Sequence, residues 1–328
     1  MPSSLIIGAG MAGLTAAREL THYGWDVTVV DKGRGVGGRM ATRRLENARA
    51  DHGAQYFLAH TTPFQQFVEQ FVQKGIVTEW DLKQVNLPSA TSPYYMGREG
   101  MSTIAKELAK DLTVRTNEKA VHLEKEATGW GIETEAGTVY RADAVIITIP
   151  APQALTLLDQ SGIVLVPEDR SALAAIKYEP CLTVLVALKQ ASRIPAPGGV
   201  RFEKGDVAWI ADNQQKGISP KQPSVTIQAS SAFSQTHLDG DLDSVGQTLI
   251  AQLQEYFSID SVESYQVHRW RYSFASERFP SAFLKAQTSF PLLFGGDGFG
   301  QGNLAKARAG VEDAFTSGLK MAQTLMEL

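Results

Sequence analysis

The first chemistry that the chain offers lies between residues 8 and 31. Gly8, Gly10 and Gly13 follow the apolar run Leu5-Ile6-Ile7 with G-x-G-x-x-G spacing. Asp31 closes a second apolar run, Val27-Thr28-Val29-Val30, 18 residues beyond Gly13. In this pattern the first glycine lets the chain turn sharply and the second lets the backbone approach a pyrophosphate. The third lets a helix pack close to the strand before it. A helix that starts at Met11 and Ala12 adds unpaired N–H groups and a positive dipole end. Asp31 can then accept from both hydroxyls of a ribose. Together these residue types point to a bound dinucleotide.

Three elements must hold those groups. They are a strand over residues 5–7, a helix over 11–23 and a strand over 27–30. Leu14, Ala17 and Leu20 share the helix face, and Gly24 is its C-terminal stop. A second glycine cluster follows at once, Lys32-Gly33-Arg34-Gly35-Val36-Gly37-Gly38-Arg39-Met40. Twelve residues after Arg39 comes Asp51-His52-Gly53-Ala54-Gln55-Tyr56-Phe57. Flavoproteins of the glutathione-reductase type run a Gly-Gly-Arg loop along the FAD pyrophosphate and ribityl chain. The pairing with Asp-x-Gly-Ala resembles the flavin amine oxidase superfamily, where that segment returns past the isoalloxazine ring.

The C-terminal end fits the same resemblance. Pro291-Leu292-Leu293-Phe294-Gly295-Gly296-Asp297 reads as strand, turn and acid, and a helix is expected over 304–326. The resemblance implies that Gly296 and Asp297 meet the ribityl chain. It also implies that the helix start at Gly302, Asn303 and Leu304 faces flavin N1 and O2, where it stabilises the charge of reduced flavin. Lys32, Gly37, Gly38, Arg39, Ala54, Gln55 and Tyr56 are implied cofactor contacts, with Val121 against the adenine through its backbone. Read alone, Val121 is only an apolar strand residue.

The expected fold is α/β: a glutathione-reductase-type Rossmann FAD domain with a mixed-sheet α+β substrate domain, similar to p-hydroxybenzoate hydroxylase and the amine oxidases. The FAD domain is discontinuous, from residues 1–60, 97–160 and 284–328, and the substrate domain takes 61–96 and 161–283. Within the latter, Phe64, Phe67, Val68 and Phe71 mark a helix over 63–74 that lines a core or roofs a cavity. A helix is expected over 102–112, with Ser102 as its N-cap, and another over 242–257. In Val267-His268-Arg269-Trp270-Arg271-Tyr272-Ser273, alternation puts His268, Trp270 and Tyr272 on one side of a strand. An aromatic face beside arginines suits a flat ring joined to phosphates. It equally suits a strand with one buried and one solvated face.

Composition narrows the classes. The 328 residues are 43% hydrophobic with a net charge of −4, so the basic surface of a nucleic-acid partner is not expected. No run reaches the ~20 apolar residues of a membrane span, and no positive n-region precedes the first strand. One cysteine, Cys181, forms no internal disulfide, which suits a cytoplasmic location. It sits in an apolar strand pattern away from the C-terminal flavin motif, so non-covalent FAD is expected. Histidines with metal-ligand spacing and a nucleophile elbow are both lacking.

Within the superfamily the chain resembles the renalases. The resemblance rests on Gly8-Ala9-Gly10-Met11, Asp31-Lys32, Gly37-Gly38-Arg39-Met40, Gly53-Ala54-Gln55-Tyr56, Trp270-Arg271-Tyr272-Ser273 and Gly295-Gly296-Asp297-Gly298-Phe299 with Gln301 and Asn303. It implies oxidation of 1,2- or 1,6-dihydronicotinamide isomers of NAD(P)H to NAD(P)+. A hydride would pass to flavin N5 and O2 would take the electrons on to hydrogen peroxide. Tyr56, Trp270, Tyr272, Phe299 and Gln301 are the substrate candidates. Such a substrate needs little acid–base help; His52 is the tempting base. Amine oxidases commonly carry a lysine near N5, to which no residue is assigned. Two other readings stand: an amine oxidase or desaturase on the same fold, and a binding module that reuses the fold without flavin, as GDP-dissociation inhibitors do.

Overall fold

A computed structural model describes residues 1–87, 93–300 and 310–328. The chain forms two compact units. One comprises Met1–Gly38, Ala105–Lys177 and Ala275–Leu328; the other comprises Arg39–Ile104 and Tyr178–Phe274.

The first unit is built on a six-stranded sheet. Its order is Phe283–Lys285, Leu292–Gly295, Ala144–Ile147, Ser3–Ile7, Asp26–Asp31 and Thr113–Thr116. All neighbours are parallel except the antiparallel edge pair Phe283–Lys285 and Leu292–Gly295. The central strands are covered on both faces, so they are continuous apolar runs rather than alternating ones: Leu5, Ile6, Val145 and Ile146 are all buried. Helix Met11–His22 follows the first strand, and Gly24, at φ +80°, stops it in the left-handed conformation that glycine tolerates. Helix Gly310–Met326 packs on it so closely that a Cβ on Gly318 would meet the Ala12 carbonyl oxygen at 2.2 Å. A three-stranded antiparallel sheet, Ala120–Lys125, Trp130–Thr134 and Val139–Ala142, completes the nucleotide-binding architecture expected.

The second unit centres on a five-stranded sheet. Its order is Gly199–Arg201, Val207–Asp212, Ser224–Ala229, Lys177–Leu188 and Val262–Glu277. Helix Leu242–Ala251 lays Val245 and Leu249 against Val184, Val186 and Ile227. Helix Thr62–Gln73 buries Phe64, Val68 and Phe71, so its apolar stripe faces a core.

Several boundaries differ from the sequence reading. Residues 39–60 and 97–104, grouped by sequence with the cofactor domain, belong to the second unit, and residues 161–177 and 275–283, grouped with the substrate domain, belong to the first. The hairpin Thr42–Leu45 and Ala48–Asp51 is tied to strand Ser224–Ala229: Ser224 Oγ donates to Arg49 O (2.7 Å) and Thr226 Oγ1 to Asp51 O (2.9 Å). The helix expected over 102–112 is Ser102–Leu108, with Ser102 its first residue rather than its cap; it ends in tight turns that place Asp111 at φ +63°. The helix expected over 242–257 stops at Ala251. Leu253 and Phe257 stay buried through the following single turns, so the apolar period outlasts the helix.

Candidate functional site

In the first unit the glycine motif makes an open cradle. Gly8 takes φ +112°, which permits the turn out of the strand. A Cβ on Gly13 would lie 1.9 Å from the Gly8 carbonyl oxygen and 2.9 Å from Thr148 Oγ1, so only glycine lets the helix approach. Gly10 is the opposite case: a Cβ there meets nothing within 4 Å, and one on Gly38 finds only the Gly10 Cα, at 3.7 Å. These two glycines therefore border open space beside the helix start. Gly37 N donates to Ala9 O (2.8 Å), which fixes the second glycine cluster next to the first. Gly10 caps the helix and has no side chain to accept from it, so the first-turn N–H groups at Met11, Ala12 and Gly13 receive no hydrogen bond from the cap residue. A diphosphate fits this donor set in charge and shape.

Asp31 stands at the end of its strand as expected, and its carboxylate is held by the backbone. Oδ2 accepts from Ala9 N (2.7 Å) and Oδ1 from Gly33 N (2.6 Å). Each oxygen keeps a further lone pair for a ribose hydroxyl. Lys32 is exposed, and Val121 lies at the irregular register between Ala120 and His122 in the antiparallel sheet. At the C-terminal end, Gly296 (φ +134°) donates its N–H to Ser317 Oγ (2.9 Å), and Asp297 is buried beside Gly310. Phe299 packs edge-on against Phe279, with centroids 5.8 Å apart. Arg278 pairs with Asp313 at 2.6 Å, yet burial still pushes the Asp313 carboxyl up to about 6. Gln301, Gly302, Asn303 and Leu304 lie outside the described residues.

In the second unit Arg39, which ends the Gly-Gly-Arg segment, meets the Asp-x-Gly-Ala segment. Ala54 N donates to Arg39 O (2.9 Å), and a Cβ on Gly53 would lie 2.0 Å from that same oxygen. Arg39 reaches Tyr272 O (3.3 Å) and sits 5.9 Å from the Tyr178 ring. His52 is buried, and its Nδ1 lies 2.6 Å from Ala41 O. A carbonyl only accepts, so the proton is on Nδ1. Burial, with Arg43 nearby, lowers the His52 pKa to about 4. The ring is neutral at pH 7 and a weak base, which disfavours it as a proton acceptor. His268 is lowered to about 4 as well, by burial and then by His52. Trp270 donates Nε1–H to His52 O (2.8 Å) and packs against both histidine rings, at 4.9 and 4.2 Å. Arg269 and Arg271 engage Gly240 O and Asp239 instead, so the strand alternates as expected.

Sequence reasoning missed Lys216. Its ammonium and the Asp51 carboxylate are fully buried, 3.1 Å apart. Lys216 Nζ also donates to Gln55 O (3.3 Å) and Gln55 Oε1 (3.2 Å), and lies 4.8 Å from the Trp80 ring centre. Asp51 Oδ1 accepts from Thr42 Oγ1 (2.6 Å) and Met101 N (2.9 Å). Gln55 is thereby committed to this network, with Nε2 on Asp51 O (2.8 Å). Lys216 follows the polar run Asp212-Asn213-Gln214-Gln215, which reads as a solvated turn, so no local signal marks it. Among the described residues, no group of three or more metal-ligating side chains is gathered, and no helix is long and apolar enough to cross a membrane.

A Rossmann unit with this cradle, in a chain that also carries an α+β unit and the Gly-Gly-Arg and Asp-x-Gly-Ala motifs, defines an FAD-dependent oxidoreductase. Residues 6–71 match the NAD(P)-binding Rossmann-like domain, and residues 82–326 match the flavin containing amine oxidoreductases. The chain belongs to the flavin-containing amine oxidoreductase family, and within it is a renalase-like member. It is 27% identical to renalase of Mus musculus over 92% of this chain and 94% of that one. Over a shorter stretch, 16% of this chain and 12% of the relative, it is 46% identical to a putative flavin-containing monoamine oxidase of Mycobacterium tuberculosis. Among solved structures, a putative protoporphyrinogen oxidase from Exiguobacterium sp. 255-15 shares the fold with a TM-score of 0.74 at 13% identity, over 100% of this chain and 99% of that one. A putrescine oxidase bound to putrescine shares it at 0.65 and 13% identity, over 100% and 99%.

Proposed function

We propose that this oxidoreductase oxidises aberrant dihydronicotinamides, the 1,2- or 1,6-dihydro isomers of NAD(P), to NAD(P)+, with O2 as the final acceptor. Bound FAD supplies the hydride acceptor and, on reoxidation, the route to hydrogen peroxide. The observation that carries the reading is the state of His52. The histidine inside the second flavin motif is a weak base, since burial lowers its pKa to about 4, and its Nδ1 proton is committed to Ala41 O. A substrate that is already a hydride donor asks for a held ring and a stabilised charge, not for a base. The length of the likeness to mouse renalase supports the same reading. So does Gly295-Gly296-Asp297-Gly298-Phe299, which departs from the Gly-Glu-Ala/Ser-Thr of typical amine oxidases.

In this reading the glycine cradle and the flavin-type segments hold the FAD. Gly8, Gly10, Met11, Ala12 and Gly13 bind the pyrophosphate and Asp31 the ribose, with Lys32, Gly37, Gly38, Val121, Gly296 and Asp297 as further cofactor contacts. Arg39, Ala54, Gln55 and Tyr56 join them from the Gly-Gly-Arg and Asp-x-Gly-Ala segments, and Gly302, Asn303 and Leu304 from the C-terminal motif. Tyr56, Trp270, Tyr272, Phe299 and Gln301 are the substrate contacts. The FAD is held without a covalent bond. Cys181, the single cysteine, sits in strand Lys177–Leu188 and supports a cytoplasmic location.

The test is an anaerobic absorbance titration of the holoprotein with borohydride-made dihydro-NAD mixtures, with 1,4-NADH as control. Loss of the ~450 nm flavin band with the mixture alone is the expected result. A band that persists with every dihydronicotinamide and bleaches with an amine would replace this reading by the amine-oxidase one.

A further inference from the structure

Four aromatic side chains of the second unit meet edge to face. Tyr56 makes contacts with Tyr94 (5.1 Å between centroids), Trp209 (5.7 Å) and Trp80 (6.4 Å) at interplanar angles of 87°, 63° and 65°. Trp80 and Trp209 meet at 6.0 Å and 88°. A packed core of rings also favours edge contacts, so angles alone decide nothing. Two further facts do. The first is a gradient of exposure: Trp80 and Trp209 are buried at 5% and 6%, whereas Tyr56 and Tyr94 are half-buried, which gives the cluster a floor and a rim. The second is the Trp209 indole N–H, which is buried and has no hydrogen-bond partner among the described residues. Trp80, its neighbour, donates normally, to Pro197 O at 2.9 Å. A buried donor without an acceptor is uncommon in a folded protein and asks for a reason.

We propose that Tyr56, Trp80, Tyr94 and Trp209 hold the nicotinamide ring of the dinucleotide, with the Trp209 N–H donating to its carboxamide oxygen; this rests on the dihydronicotinamide reading above. The ring is planar and can lie against the half-buried rings of Tyr56 and Tyr94. Of the two bases in NAD+, only the oxidised nicotinamide is a cation, and aromatic faces attract a cation through their quadrupole. The carboxamide supplies the acceptor that the indole lacks. Lys216, 4.8 Å from the Trp80 ring centre, would oppose a second positive charge if it stood alone. Asp51, 3.1 Å from its ammonium, offsets it.

The experiment measures binding, not turnover. The FAD-loaded protein is titrated by calorimetry with 1-methylnicotinamide, a cationic ring, and with neutral nicotinamide. Wild type is expected to bind the cation more tightly by about 3–5-fold, and Tyr94→Leu at the rim to lose that preference. Trp209→Phe keeps a ring but no donor, and is expected to weaken both ligands by about 5–10-fold with an unchanged flavin spectrum. Dissociation constants that stay at wild-type values in both variants would overturn the proposal, as would a wild type that binds neither ring. The two readings fail separately. A holoprotein that oxidises dihydronicotinamides with no effect of either variant loses the ring site and keeps the activity. One that oxidises none, yet binds 1-methylnicotinamide through Trp209, loses the activity and keeps the ring site.

Discussion

Replacing Lys216 by methionine is the sharpest test of how the Asp51–Phe57 segment is held. At 3.1 Å and an effective dielectric of ~20, the gross attraction between Lys216 and Asp51 is about 5 kcal/mol. Desolvation of two fully buried charges offsets much of it, and burial indeed pulls the Lys216 ammonium pKa down against the lift from Asp51. Removing one partner does not refund that desolvation; it leaves the other charge buried without its counter-ion. Lys216→Met is therefore expected to cost about 3–4 kcal/mol. It falls toward the lower part of the usual range because Asp51 keeps its donors from Thr42 Oγ1 and Met101 N. Asp51→Asn is expected to cost about 2–3 kcal/mol, since the lysine can shed its proton and keep Gln55 as partner. The double variant removes both charges and is expected to cost at least about 2 kcal/mol less than the two single costs together. The assay is urea unfolding with FAD in fixed excess, so that cofactor linkage is the same in all four proteins. Single costs below about 1 kcal/mol, or strict additivity, would refute the account of a buried pair whose members need each other.

His52 gives a prediction about acid. Its folded pKa of about 4 lies below the ordinary 6.5, so the unfolded chain takes up its proton first. Stability from this group is full above pH 6.5 and is lost as pH falls to about 4, at most about 3 kcal/mol. His52→Gln should flatten the stability curve over that window; an unchanged slope would exclude the group. The glycine cradle separates packing from binding. Gly10→Ala, with open space around its new methyl, should leave apoprotein stability within about 0.5 kcal/mol of wild type. Fluorescence titration should nevertheless show at least a ~10-fold loss of FAD affinity, because the methyl stands where the pyrophosphate approaches. Gly13→Ala forces its methyl onto the Gly8 carbonyl and should lower both, by about 1–3 kcal/mol in apoprotein stability. Equal FAD affinities for wild type and Gly10→Ala would remove the cradle from the binding site.

Local chain geometry explains what could be read without coordinates. Gly8, Gly10 and Gly13 are spaced by the turn and helix they permit, and Asp31 ends a strand whose length sets its distance from them. The alternation of Arg269 and Arg271 with His268, Trp270 and Tyr272 is a property of one strand. The misplaced boundaries share a different cause. The apolar period through Leu253 and Phe257 records burial, not helix, and the hairpin at residues 42–51 belongs to whichever sheet takes its hydrogen bonds. Neither preference is written in the hairpin itself.

The sequence by itself determined a dinucleotide-binding opening, a flavin-type order of motifs and a family, because each motif is a short run whose residues act through fixed backbone spacing. Tertiary structure alone decided the rest. Lys216 stands 165 residues from Asp51, and its neighbours spell a surface turn, yet the fold buries both charges together. Tyr56, Trp80 and Trp209 meet from three distant segments, and His52 loses its basicity to burial that no run around it predicts. Packing, desolvation and the partner of a hydrogen bond depend on what lies across space, and a chain read in order carries no local mark of its distant neighbours.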